Sequence, residues 1–199
     1  EYMFLDDTAC NLASINLLKF WDTEKQTFDA SGYEHAIDIW TMVLEISVLM
    51  AAFPSRSIAE QSWRYRTLGL GYANLGALLM QAGIPYDSDE GRCVSGILTS
   101  ILTGRSYSMS ATMASELGAF AGFDDNRDAM LRVIRNHKRA ADGELRDSDE
   151  WEELDIRPMS IDHKCARSGN INIANAGELL ERAELAWRRA LRDGTKYGF

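Results

Sequence analysis

A chain of 199 residues and 22.3 kDa is the size of one domain or of a part of a larger one, and folded it can bury roughly 70% of its unfolded surface. With 46% apolar and 26% charged residues, and with seven Phe, seven Tyr, five Trp and eight Met, the composition excludes a disordered chain; three prolines and 15 glycines exclude a collagen-like or Pro-rich one. The net charge of −9 and pI of about 4.9 argue against a general binder of phosphate backbones, and most of that charge is local: eight acids between Asp142 and Asp155 face only Arg146, a sum of −7 that leaves −2 elsewhere.

In chain order, 11–17 is short, apolar-rich and bounded by polar turns, which permits a buried strand. A first helix is expected over 32–52, with Ser31 and Glu34 as a capping box and Pro54 as its end. Its polar residues Glu34, Asp38, Thr41 and Glu45 recur every three or four positions, so the remaining face is expected to meet a core. A second helix is expected over 68–82, apolar on nearly every side and stopped by Gly83. A third runs over 87–117, capped by Asp87 and Glu90, with the stripe Val94, Ile97, Leu98, Ile101, Leu102, Met109 and Met113 and an interruption expected at Gly104. A fourth covers 126–141 and is expected to bury Met130, Val133 and Ile134. The last, 176–192, starts at Asn175 with Glu178 three residues on and ends in Arg188, Arg189 and Arg192, as a helix dipole prefers. Ile171-Asn172-Ile173 is a weaker strand candidate.

The run Gly69-Leu-Gly71-Tyr-Ala-Asn-Leu-Gly76 invites comparison with a dinucleotide-binding loop, but Asn74 stands in the third glycine's place and no strand is expected before it. Close helix packing by small residues is the better account. His35, His137 and His163 share no metal spacing. The basic stretch Arg132, Arg135, His137, Lys138, Arg139 reads as a solvated helix face. Cys10, Cys93 and Cys165 are odd in number and contain no C-x-x-C pair, which argues for a reducing cytosol over a secreted disulfide framework. Cys93 falls in an apolar stripe, where a thiol behaves as a small hydrophobe, whereas Cys165 has no sequence-level explanation. No signal-peptide pattern is visible, and the greasy stretch 39–53 is interrupted by Thr41, Glu45 and Ser47 and is too short for a bilayer. The chain opens at Glu1 without an initiator Met and reads as part of a longer polypeptide.

Three blocks in order carry a resemblance. Glu1-Tyr-Met-Phe-Leu-Asp-Asp-Thr-Ala-Cys-Asn-Leu-Ala-Ser-Ile-Asn-Leu17 resembles the active-site stretch of adenosylcobalamin-dependent (class II) ribonucleotide reductases. Tyr65-Arg-Thr-Leu-Gly-Leu-Gly-Tyr-Ala-Asn-Leu-Gly-Ala-Leu-Leu-Met80 with Gly83-Ile-Pro-Tyr-Asp87, and Asn126-Arg-Asp-Ala-Met-Leu-Arg-Val-Ile-Arg-Asn-His137, are similar to the same family. The resemblance implies an α/β fold, a fragment of a ten-stranded barrel that is predominantly helical within this chain. It implies residues 1–199 as part of a single catalytic barrel domain, with 1–20 the exit of a finger loop and a strand, 31–143 a helical region, 144–174 an acidic loop region and 175–199 a C-terminal helix.

By resemblance, Glu1 falls on the glutamate of the family's N-x-C-x-E finger-loop sequence, which binds substrate and acts as general base and acid at the ribose 3′-hydroxyl. The radical cysteine would then lie just upstream, and Cys10 would be one of the two redox-active thiols that reduce the ribose. The implied cofactor is adenosylcobalamin, whose cobalt–carbon bond breaks to start the radical. The implied partners are a ribonucleotide substrate, a thioredoxin-like or dithiol reductant, the rest of the reductase chain and, once complete, a second copy in a homodimer, in the cytoplasm. Two other readings stay open at this point: the large subunit of a class I reductase, and a non-catalytic helical interaction fragment. The 199 residues alone are expected to be inactive.

Overall fold

The structure, a computed structural model, describes residues 5–199. Its elements are β1 (Asn11–Asn16), a 3-10 turn (Leu17–Phe20), β2 (Trp21–Asp22), β3 (Thr27–Phe28), α1 (Ala30–Met50), α2 (Arg56–Tyr65), β4 (Leu68–Ala73), α3 (Leu75–Gln81), α4 (Asp89–Leu117), α5 (Phe123–Ala141), α6 (His163–Arg167) and α7 (Ala176–Tyr197). Helices dominate, as expected. Among the described residues the strands form two two-stranded sheets, β1 parallel to β4 and β2 antiparallel to β3, and these do not close into a barrel. No described helix is long and apolar enough to cross a membrane.

The strand expected at 11–17 is β1. The helix expected over 68–82 is a correction: Leu68–Ala73 is strand β4, Asn74 turns at φ +69, and only Leu75–Gln81 is helical. A strand of a parallel pair reads as a continuous apolar run, and over six residues periodicity does not separate it from a buried helix. Gly69 and Gly71 of this run therefore belong to a strand and do not pack one helix on another, while Gly76 lies in α3. β1 and β4 pair in register from Asn11↔Leu68 to Asn16↔Ala73, with α1 and α2 as the crossover between them. The Ile171–Ile173 segment forms no strand; both isoleucines are buried in the core instead.

Helix α2 escaped the sequence reading because its ten residues, RSIAEQSWRY, are mostly polar; Ser55 caps it by accepting from the Ile58 N–H at 3.3 Å. Two capping boxes are corrected as well. The α1 cap is Asp29, whose carboxylate accepts from Gly32 N–H at 2.9 Å, and the α4 cap is Ser88, which accepts from Gly91 N–H at 3.0 Å. Ser31 instead accepts from Arg182 at 3.2 Å.

The expected facing of α1 holds only in part. Thr41 is buried, and Glu34, Asp38 and Glu45 point inward to ion pairs with Arg182, Arg105 and Arg66. The core side is Tyr33, Ile37, Leu44 and Val48, while Trp40, Val43, Ile46 and Leu49 are exposed, Leu49 at 62%. Arginines on other elements turned the polar stripe inward, and no pattern within α1 announces them.

The body of the fold is the long α4 packed along α7. Ile97, Leu98, Ile101, Leu179, Leu180 and Ala183 are buried between them, and Gly104 continues the helix, lying so close to α7 that an added Cβ would sit 3.1 Å from Ala186 and from the Trp187 ring. The helix is not interrupted there. In α5, Ile134 is buried and Met130 packs partly against the second core cluster, whereas Val133 is 45% exposed, against expectation. Asn175 stands at the N-cap of α7, as expected, but its side chain makes no capping bond to the helix. Its side chain bonds both Phe28 backbone groups, accepting from N–H at 3.0 Å and donating to C=O at 2.9 Å, and so ties the β2–β3 hairpin to α7 across the length of the chain.

The acidic loop and the basic face of α5 explain each other. Arg135 grips Glu152 with two bonds of 2.6 and 2.8 Å, Arg139 adds a third at 2.6 Å, Arg132 pairs with Glu153, and Lys138 with Asp142. Asn136 bonds the Glu152 backbone in both directions, and Trp151 is buried beneath. The basic stretch is thus a docking face for the loop. Hydrogen bonds from Arg135, then Arg139, hold the Glu152 carboxyl down at about 2 against an ordinary 4.5. A depressed carboxylate contributes stability that is complete above its unfolded pKa and is lost as pH falls through the folded one. The urea midpoint of the wild type is therefore expected to drop between about pH 5 and pH 2 more than that of Glu152→Gln. Parallel curves for the two proteins would show that the pair contributes nothing.

Candidate functional site

Cys10 stands at the head of β1, one residue before the ladder with β4 begins. The two faces of the β1–β4 pair differ. On one, Asn11 donates to Ser47 of α1 at 2.8 Å and Ile15 enters the core. The other carries Cys10, Leu12 and Ser14 from β1 opposite Gly69 and Gly71 of β4. Two glycines strip that half of the face of side chains. A Cβ built on Gly69 would lie 2.9 Å from the Cys10 sulfur and would run into Leu12, so the thiol takes up the space that a side chain at position 69 would need. Leu12 is 69% exposed and Cys10 half-buried: the face is open.

Both ends of the pair are tied by side chains. At the Cys10 end, the Ala9 N–H donates to Ser62 at 3.0 Å and the Ala9 C=O accepts from Thr67 at 2.8 Å. At the far end, Asn16 accepts from Leu18 N–H at 3.1 Å and from the Asn74 amide at 2.9 Å. Ser62 stands in no motif of the sequence, Thr67 only within the longer Tyr65–Met80 block, and Gly69 in the glycine run, with no link to Cys10. The available signal was the Thr67-Leu-Gly69 sequence itself, which says nothing until β4 is laid beside β1.

Glu1 lies outside the described residues. The other cysteines sit apart from the open face. Cys93, on α4, is buried as its stripe implied; its thiol donates to the Asp162 carbonyl at 3.5 Å, and burial pushes its pKa up to about 12. Cys165, on α6, packs beside it against the same core, with its pKa also raised, chiefly by burial. Both thus act as small apolar groups at neutral pH. His35 is exposed on α1, His137 stacks on Trp187 at 5.0 Å, and the ring of His163 bonds the Ala141 carbonyl at 2.8 Å. Among the described residues no three His, Cys, Asp or Glu side chains gather where a metal ion could be held.

A half-buried thiol at the head of a parallel strand, over a glycine-lined face backed by helices, places the chain among α/β proteins that present a cysteine at a strand end. The family described as the ribonucleotide reductase barrel domain matches residues 1–199, and the chain belongs to it. It is 56% identical over 199 residues to a vitamin B12-dependent ribonucleotide reductase of Agrobacterium fabrum, covering all of this chain and 15% of that protein. To enzymes of the same name from Bradyrhizobium diazoefficiens and Rhodopirellula baltica it is 52% and 41% identical, again over the whole chain and over 15% and 16% of theirs. The chain thus spans about 15% of the length of these curated relatives.

Proposed function

We propose that this chain is a segment of the catalytic barrel of a vitamin B12-dependent ribonucleotide reductase and carries one of the two thiols that reduce the ribose. The observation that supports it most is the seat of Cys10, a half-buried thiol whose sulfur lies over Gly69, in a chain 56% identical throughout to a relative of that name. In the complete enzyme the open face becomes the lining of a ten-stranded barrel around the finger loop, with α1, α4 and α7 outside it.

The step proper to this chain is a two-electron reduction. Cys10 and a second thiol of the complete protein give up two hydrogens; the ribose 2′-hydroxyl leaves as water, a C2′–H bond replaces the C–O bond, and the sulfurs join as a disulfide. A dithiol of the thioredoxin kind reopens that disulfide by exchange and readies the enzyme for another turn. Sulfur is required because its S–H can be given up and the two sulfurs can then bond. Glu1, by its place in the sequence, is the proposed acceptor of the 3′-hydroxyl proton. Among the described residues all three histidines lie on helices, and none on the β1–β4 face that carries Cys10. Cobalamin binding is accordingly proposed for the complete enzyme, as are the homodimer and the cytoplasmic location.

The complete protein, given adenosylcobalamin, a ribonucleotide and a dithiol but no second subunit, is expected to form deoxyribonucleotide. No turnover under those conditions would overturn this reading.

A further inference from the structure

We propose that Ser62 and Thr67 are positioning residues for Cys10: a hydroxyl clamp that continues the β1–β4 pairing past the end of its ladder. This rests on the reading of Cys10 as a reducing thiol. The ladder begins at Asn11↔Leu68, so among the described residues the peptide groups of Ala9, directly before Cys10, have no strand to pair with. Two side chains serve instead. Ser62 accepts the Ala9 N–H at 3.0 Å and Thr67 donates to the Ala9 C=O at 2.8 Å, so both hydrogen-bonding groups of that residue are held. Ser62 is 1% exposed, which leaves water no room to take its place.

The two hydroxyls are delivered together by local backbone geometry. Ser62 lies in the last turn of α2; Arg66 then adopts the left-handed conformation at φ +50, its N–H closing on the Ser62 carbonyl at 2.8 Å, and the chain reverses so that Thr67 enters β4 beside Ala9. The turn is anchored from outside by the ion pair of Arg66 with Glu45 of α1, both mostly buried. With the backbone before Cys10 held by the clamp and the backbone after it held by the ladder, the sulfur is carried at a fixed place above Gly69.

That restriction suits the chemistry. A thiol that first serves a sugar and then bonds a second sulfur must keep its Cα within roughly 4.4–6.8 Å of the partner's Cα. A displacement of about 1 Å in a positioning element can cost on the order of 10²-fold in rate.

The test uses Ser62→Ala, Thr67→Val and Thr67→Ser in the complete reductase. Three quantities are read: melting temperature, the alkylation rate of Cys10 by iodoacetamide followed on its peptide with Cys93 as internal control, and kcat and KM with a dithiol. Thr67→Val, which keeps the shape and removes the hydroxyl, is expected to change the Cys10 alkylation rate about fivefold, as the loss of one neutral hydrogen bond would. It should lower kcat about tenfold with KM within twofold, while Thr67→Ser restores both. Should Ser62→Ala unfold, Thr67→Val carries the test alone. A folded Thr67→Val with unchanged Cys10 alkylation overturns the clamp, whatever its turnover. Altered alkylation with undiminished turnover supports the clamp and instead overturns the role of Cys10 in the reaction.

Discussion

Replacing Cys10 by Ser in the complete reductase is expected to abolish repeated turnover with a dithiol reductant, by more than about 10³-fold in kcat. The hydroxyl is nearly the size of the thiol, and Cys10 is half-buried at a strand end over Gly69, so the fold should lose no more than about 1 kcal/mol. What is lost is chemical: an alcohol O–H is not given up as a thiol S–H is, and oxygen cannot close the disulfide whose formation releases the second electron to the sugar. Deoxyribonucleotide formation over many cycles, with circular dichroism as a folding control, checks this. Undiminished turnover would remove Cys10 from the reaction and leave its seat on Gly69 a matter of packing alone.

The second large effect concerns stability. Trp187 is 2% exposed on α7; its indole N–H donates to Ser100 of α4 at 2.9 Å, its ring stacks on His137 of α5, and Gly104 is cut back to make room for it. Three helices thus meet on one side chain. Trp187→Ala is expected to cost about 3–5 kcal/mol, since neither neighbouring helix can collapse into the void without losing contact with the other. That is a large part of the 5–15 kcal/mol by which most domains are stable, so urea unfolding should shift far or vanish. Trp187→Phe keeps most of the volume but leaves Ser100 without its donor, and should cost about 1 kcal/mol beyond the lost area. A loss below about 1 kcal/mol for the alanine variant would show that the α4–α7 seam does not hold the fold.

The elements that local pattern foretold are those whose burial is one-sided and regular. α4 and α7 announce themselves by apolar stripes and clear stops, and β1 by a short greasy run between polar turns. β4 was hidden because a parallel strand has no alternation to show, and α2 because its ten residues are mostly polar. The inward turn of Glu34, Asp38 and Glu45 depended on arginines 21 to 148 positions away in the chain. The acidic loop and the basic face of α5 were each visible as charge, and only their meeting at Glu152 turned two solvated features into one joint.

The chain's own letters were enough for the family resemblance and, through it, for Cys10 as the proposed reducing thiol. What holds that thiol was decided in three dimensions. Ser62, Thr67 and Gly69 reach it from 52 to 59 positions away, through a parallel pairing whose crossover is two helices long, and a hydrogen bond or a missing Cβ leaves no mark on the sequence near the group it serves.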